Sequence, residues 1–194
     1  MQLVHRSVSR YGLALVVLTF IAAPAVAQTP TIHIDNFGRV TDTYFRGGQP
    51  QAKDYAALAA AGIKTIINLT SDDAQPNEKS LTEAAGMKYF QIPMTTHEVP
   101  TAAQIAQFLG IVDNKADQPV YVHCVGGRHR TGVMTAIYRM TDDGWSPPQA
   151  FAEMKNYKFG ADFLHAEFKD FVLGYPAQAA HAAAAAAVTP KSGG

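Results

Sequence analysis

The sequence predicts an α/β fold, a single domain built on a central, mostly parallel sheet with helices on both faces. Three observations point there. Segments with helical apolar spacing alternate with short, nearly continuous apolar runs, the pattern of strands buried on both faces and joined by crossover helices. Glycines and prolines fall at the joins between these segments, where helices stop and turns begin. A chain of 194 residues is long enough for one domain whose core needs no disulfide or metal to hold it.

The elements follow in order. "PQAKDYAALAAAG" predicts a helix ending at Gly62, and "IKTIINL" a buried strand after it. "PNEKSLTEAAG" predicts a second helix, with Pro76 near its start and Gly86 past its end. "MKYFQI" reads as a strand, "TAAQIAQFLGIVDN" as a helix, and "QPVYVHC" as a β-branched and aromatic strand ending at Cys124. In "RTGVMTAIYRMTDDGW", Val133, Met134, Ile137, Tyr138 and Met140 recur at helical spacing until Gly144 stops them. "SPPQAFAEMKNYKF" and "ADFLHAEFKDFVLG" predict two closing helices, the last carrying Phe163, Leu164, Phe168 and Phe171 on one side. "RGGQP" reads as a turn into the first helix, with Arg46 a basic candidate beside it.

Both ends lie outside this domain, which is expected over residues 28–175. Residues 1–27 carry Arg6 and Arg10, an apolar run from Tyr11 to Ala23, and Ala25-Val26-Ala27, the layout of a secretory signal peptide. Cleavage is expected after Ala27, giving a periplasmic or secreted protein. The rival is a retained anchor, but Pro24 cuts the run short of the roughly 20 apolar residues a spanning helix needs. No stable membrane insertion is expected after cleavage. Residues 176–194 form an alanine-rich, low-complexity tail in which His181 has no second ligand at metal spacing.

Lys plus Arg and Asp plus Glu both total 16, so no global field recruits nucleic acid. Any attraction for anions is local. An exported chain with a single cysteine makes no internal disulfide, and that cysteine stands where a strand hands over to a helix. Val125, Gly126, Gly127, Arg128 and His129 fill the join. The glycines permit close approach of a ligand, and amides at a helix N-terminus with the dipole behind them suit an anion. The same field favours the Cys124 thiolate. Arg130 at the helix start can grip two phosphate oxygens bidentately, and Thr131 brings a hydroxyl.

Cys124 and Arg130 make C-x5-R. With His123 before and Thr131-Gly132 after, "HCVGGRHRTG" resembles the signature loop of cysteine-dependent protein tyrosine and dual-specificity phosphatases. "NFGRVTDTYFRGGQP", "AGIKTIINLTSDD", "AGMKYFQIPM" and "PVYVHC" extend the resemblance to bacterial, plant and fungal atypical dual-specificity phosphatases, from about Ile32 to Val172. The resemblance implies a dual-specificity-phosphatase-like fold and a metal-independent, cofactor-free phosphatase. Cys124 forms a phosphocysteine that water hydrolyses, Arg130 and the amides of residues 125–130 hold the phosphoryl oxygens, and Thr131 eases departure of the thiolate. His123 supports the loop and points away from Cys124, by strand alternation.

The family's general-acid aspartate is missing. Thr96 stands about where it belongs, and His97, Glu98, Asp72 and Asp73 are the candidate replacements. "GGRHRTG" resembles the basic loop of plant and fungal members linked to inositol pyrophosphates, so Arg128 and His129 either widen a positive patch or are ordinary loop residues. The expected substrate is a phosphorylated protein or a small phosphorylated molecule, handled by a monomer. An inositol polyphosphate or pyrophosphate phosphatase, and a phosphate-binding pseudophosphatase, are the alternatives.

Overall fold

The computed structural model describes residues 31–71 and 73–176. The cleavage expected after Ala27, Asp72, and the tail from Ala177 with His181 lie outside the described residues. Five strands and six helices are laid out as β1 (Gly38–Arg39), β2 (Tyr44–Gly47), α1 (Asp54–Ala60), β3 (Thr65–Thr70), α2 (Glu78–Ala84), β4 (Lys88–Met94), α3 (Ala102–Val112), β5 (Val120–His123), α4 (Arg130–Thr141), α5 (Pro147–Asn156) and α6 (Ala166–Leu173). They form one sheet in the order β1-β2-β5-β3-β4. Only β1 runs antiparallel, against β2; the β2–β5, β5–β3 and β3–β4 pairs are parallel. The expected α/β architecture holds, with β5 in the centre of the sheet.

Alternation along the central strands sorts side chains onto two faces. On one face Ile66 and Tyr121 pack with Tyr55 and Leu58 of α1 and with Ile63 and Met87. On the other, Ile67, Leu69, Val120 and Val122 meet Phe108 of α3, Val133 and Ile137 of α4, Met154 of α5 and Phe168 of α6. Every residue of β3 and β5 is buried, which explains why both read as unbroken apolar runs. Cys124 belongs to the second face, while His123 stacks on Tyr121 of the first, centroids 5.7 Å apart.

Local chemistry sets the helix ends. Thr101 caps α3 by accepting from the Gln104 amide at 3.2 Å, and Gln104 Oε1 accepts from the Thr101 amide at 2.8 Å, a reciprocal capping box. Gly86 ends α2 at φ +80°, a conformation that costs a side-chain-bearing residue and not glycine. Among the described residues, no helix is long and apolar enough to cross a membrane.

Two expectations are corrected. The closing helix starts at Ala166, not Ala161. Residues 161–164 form a turn in which Leu164 donates to the Ala161 carbonyl at 3.1 Å, and Phe163 and Leu164 are 80% and 60% exposed. The buried seam of α6 runs through Phe168 and Val172; Phe163 and Leu164 stand before the helix, and His165 turns inward onto Phe168 at 5.8 Å. Second, "RGGQP" is not only a turn: its Arg46 and Gly47 close an interior strand, Tyr44–Gly47, paired with β5 on one side and β1 on the other. Its central arginine hides the apolar pattern.

Phe108, fully buried against Tyr44, should cost about 3–5 kcal/mol when replaced by alanine, read as a lower urea midpoint. Phe163→Ser, by contrast, should stay within about 0.5 kcal/mol of the parent chain.

Candidate active site

Cys124 follows β5 directly and is 3% exposed. Residues 125–129 then turn into α4, which begins at Arg130. The loop's carbonyls are tied outward. Val125 O accepts from the Gln49 amide at 2.9 Å. Gly127 O accepts from Asn36 Nδ2 at 2.9 Å and from Arg46 Nη2 at 2.7 Å. None of the amides of residues 125–129 donates to a backbone carbonyl among the described residues. With these carbonyls engaged elsewhere, the loop N–H groups are left available, which is what backbone needs to bind an oxyanion.

The supports behind the loop were only partly visible in the sequence. Arg46 is fully buried, and its guanidinium lies 4.0 Å from the Tyr157 ring centroid, so it braces the loop from behind and does not join an exposed basic patch. Burial pulls its pKa below the ordinary arginine value. Asn36 sits at φ 58° and also donates to Tyr157 O at 2.7 Å, linking the loop to the end of α5. Gly127 has φ +63°, and a Cβ there would fall 2.3 Å from the Gly47 carbonyl group. The "GG" of β2 and the "GG" of the loop are therefore two sides of one close backbone contact.

Arg130, 2% exposed, sends both terminal nitrogens to Asp73, Nη1 to Oδ1 at 2.9 Å and Nη2 to Oδ2 at 2.7 Å. Nη1 also donates to Met94 O at 3.0 Å. Burial alone would lower the Arg130 pKa, but Asp73 and then Cys124 outweigh it and raise it. The hydrogen bonds from Arg130 hold the Asp73 carboxyl below its usual range. Asp73, read as a candidate proton donor, is thus the counter-ion of Arg130, and its carboxylate occupies both arms of the guanidinium fork. Thr131, fully buried in the first turn of α4, has an Oγ1 without a partner among the described residues.

The other candidates scatter around this centre. His129 points out of the loop, its Nε2 3.0 Å from Phe159 O and its ring centroid 3.7 Å from that of His165; its side chain does not widen a positive patch. Arg128 is exposed, with Nη2 3.6 Å from Asp35, whose carboxylate also accepts from Lys158 at 2.6 Å. Val125 is half exposed at the rim. On the β4–α3 connection, Glu98 Oε2 accepts from Thr95 Oγ1 at 3.3 Å, and His97 stacks near His165 with centroids 6.0 Å apart.

A buried polar cluster lies under the site on the opposite face. His123 Nε2 is 2.7 Å from Glu78 Oε1, both side chains fully buried. Glu78 also accepts from Asn68 Nδ2 at 2.6 Å and from Tyr55 OH at 3.2 Å, and Asn68 Oδ1 accepts from the Thr70 amide at 2.7 Å. Burial pushes the Glu78 carboxyl up, but the hydrogen bond and charge of His123 outweigh that and hold it below its ordinary value. His123 points away from Cys124 as expected, but its polar partner is Glu78 under the strand end, which the sequence reading missed. The only local signal was an acid in the first turn of a helix, which reads equally well as a solvated dipole partner.

Residues 29–170 match the family described as PTP-NADK, a DSP-PTPase phosphatase fused to NAD+ kinase, and the chain belongs to that family. Among curated proteins it is 28% identical over 138 residues to the dual specificity protein phosphatase TpbA of Pseudomonas aeruginosa, covering 71% of this chain and 61% of that one. It is 26% identical over 139 residues to the inositol diphosphatase SIW14 of Saccharomyces cerevisiae, covering 69% and 49%. The chain thus spans about three-fifths and half of these relatives' lengths. The catalytic core of SIW14 superposes with a TM-score of 0.69 at 23% identity, over 81% of this chain and 96% of that one. TpbA superposes at 0.68 and 24%, over 82% and 98%. These superpositions establish a dual-specificity-phosphatase fold.

Gly127→Ala should force the loop away from Gly47; strain of about 1–3 kcal/mol or more should weaken inorganic phosphate binding by at least about tenfold in calorimetry. Because the folded Glu78 value lies below 4.5, its stabilisation is complete above that pH and is lost as the pH falls through the folded value. The thermal midpoint should drop over that window, and Glu78→Gln should flatten the dependence.

Proposed function

We propose that this chain is a cysteine-dependent phosphatase that hydrolyses phosphate monoesters through a phosphocysteine intermediate. One observation carries the reading: the Arg130 guanidinium, 2% exposed, presents both terminal nitrogens to a carboxylate at 2.7–2.9 Å beside the Cys124 loop. A bidentate oxyanion site next to a sulfur nucleophile suits phosphoryl transfer, since planar carboxylate and phosphate edges dock on the same fork.

In the first step the Cys124 thiolate attacks phosphorus, the P–O bond to the leaving group breaks, and the leaving oxygen takes a proton from a donor. In the second, water attacks phosphorus, the P–S bond breaks, and the proton released by water returns to the donor, restoring thiolate and acid. Arg130 and the amides of residues 125–130 neutralise the equatorial oxygens, and the Thr131 hydroxyl serves the departing sulfur.

Asp73 is the donor this geometry favours over His97 and Glu98. Phosphate must displace its carboxylate from Arg130, and a carboxylate moved from a cation to the side of an anion gains affinity for a proton. Substrate entry thus charges the acid. Arg128 and Lys158 flank the loop and share one carboxylate, Asp35. They favour a second reading, that the substrate carries more than one phosphate, in line with the naming of SIW14 as an inositol diphosphatase. Phosphotyrosine suits the TpbA likeness. The leader expected in residues 1–27 would put this activity outside the cytoplasm, in a monomer without cofactor.

Phosphate release by the chain lacking residues 1–27 should be abolished by Cys124→Ser and depressed by Arg130→Lys. A panel of phosphotyrosine peptide, phosphoserine peptide and inositol pyrophosphate identifies the substrate class. Asp73→Asn should lower kcat by about 10²–10⁴-fold on alkyl phosphates and much less on nitrophenyl phosphate. Phosphate binding without turnover on any substrate would make the chain a pseudophosphatase.

A further inference from the structure

Beside the phosphate loop, three metal-ligating side chains converge where the β4–α3 connection meets the start of α6. His97, His165 and Glu167 each offer one ligand atom, and these atoms lie within 4.8 Å of one another. His165 Nδ1 and Glu167 Oε1 are 3.4 Å apart. Both atoms are shielded from solvent, and neither has a hydrogen-bond partner among the described residues.

Their separation is informative. It exceeds the ~2.7–3.2 Å of a sound N–H···O bond. It matches the edge of a tetrahedron around zinc, where ligand distances of about 2.0–2.2 Å put neighbouring donors roughly 3.3–3.6 Å apart. Two desolvated polar atoms facing each other without a bond cost stability, and a cation between them removes that cost. His97 supplies the third ligand from an exposed connection, whose side chain is free to close the remaining gap. Two imidazoles and a carboxylate suit zinc, whereas magnesium and calcium prefer oxygen-only shells.

We propose that His97, His165 and Glu167 form a zinc site with a fourth position open to water, and that its occupancy slows the phosphatase reaction. The coupling has two routes. His97 lies three residues past Met94, whose carbonyl accepts from Arg130, so zinc fixes the connection that borders the phosphate fork. His165 also packs on His129 of the phosphate loop at 3.7 Å, so the same ion ties α6 to that loop. The slowing rests on the phosphatase reading; the binding of zinc does not.

The test is calorimetric titration of the untagged full-length chain with zinc, with magnesium as the comparison cation. One equivalent of zinc should bind with micromolar or tighter affinity, and magnesium should not compete. Cys124→Ser should keep this binding, which separates the site from capture of zinc by the nucleophile. His165→Ala and Glu167→Gln, each checked for folding by circular dichroism, should weaken it by at least about tenfold. Binding that survives both of those substitutions, or that vanishes in Cys124→Ser, overturns the site. Saturating zinc should slow phosphate release several-fold in the native chain and leave Glu167→Gln unaffected; a native rate indifferent to zinc overturns the coupling. A chain that releases no phosphate at all defeats the phosphatase reading, and the calorimetric arms still decide the site.

Discussion

The carbonyl oxygen of Gly127 is the point on which the site turns. It accepts from Asn36 and from Arg46, and both donors come from the chain segment before α1, far away in sequence. With that oxygen held by these two donors, the amides of residues 125–129 are left without a backbone acceptor among the described residues. The arrangement demands a buried arginine, which is costly unless something compensates. The Tyr157 face supplies part of the compensation, and the carbonyl itself supplies another. Gly127 follows from the same constraint, since a Cβ there would strike the Gly47 backbone, while Gly47 is kept bare by a different neighbour, the Tyr121 hydroxyl.

Below the loop, a second constraint works on the opposite face of the sheet. Strand alternation sends Cys124 to one side and His123 to the other, so the residue before the cysteine is free to anchor the strand end. It does so on Glu78, which Asn68 and Tyr55 also hold. β3, α1, α2 and β5 thereby meet at one carboxylate. The position of Cys124 is fixed on one face by these polar contacts and on the other by packing with the core residues of α4.

Much of this was legible in the sequence. β3 and β5 read correctly because they are buried on both faces and show unbroken apolar runs, and the helices α1 to α5 were found by their apolar spacing, helped by glycines just past the ends of α1, α2 and α4 and by proline, serine or threonine at the starts of α2, α3 and α5. β2 did not, because its arginine does structural work that composition cannot distinguish from solvent exposure. α6 was read too long: Phe163 and Leu164 continue the apolar pattern in sequence but belong to a turn. The placement of Cys124, Arg130 and Thr131 at the β5–α4 join was legible because the loop is contiguous. Asn36, Arg46 and Glu78 were not assigned their roles, because each acts through contacts tens of residues away, and such contacts leave no local period.

The resting pairing of Arg130 with Asp73 has a consequence for selectivity. An incoming ligand does not meet a bare cation; it competes with a tethered monovalent rival already seated in two well-formed bonds. A singly charged ion such as chloride or bicarbonate offers no more charge than the group it would evict, and it lacks the advantage of being attached to the chain. A doubly charged phosphoryl group, the ligand of the proposed function, would bring more charge and a third equatorial oxygen for the backbone donors. On that proposal the protein's own carboxylate would set a threshold that singly charged anions do not pass.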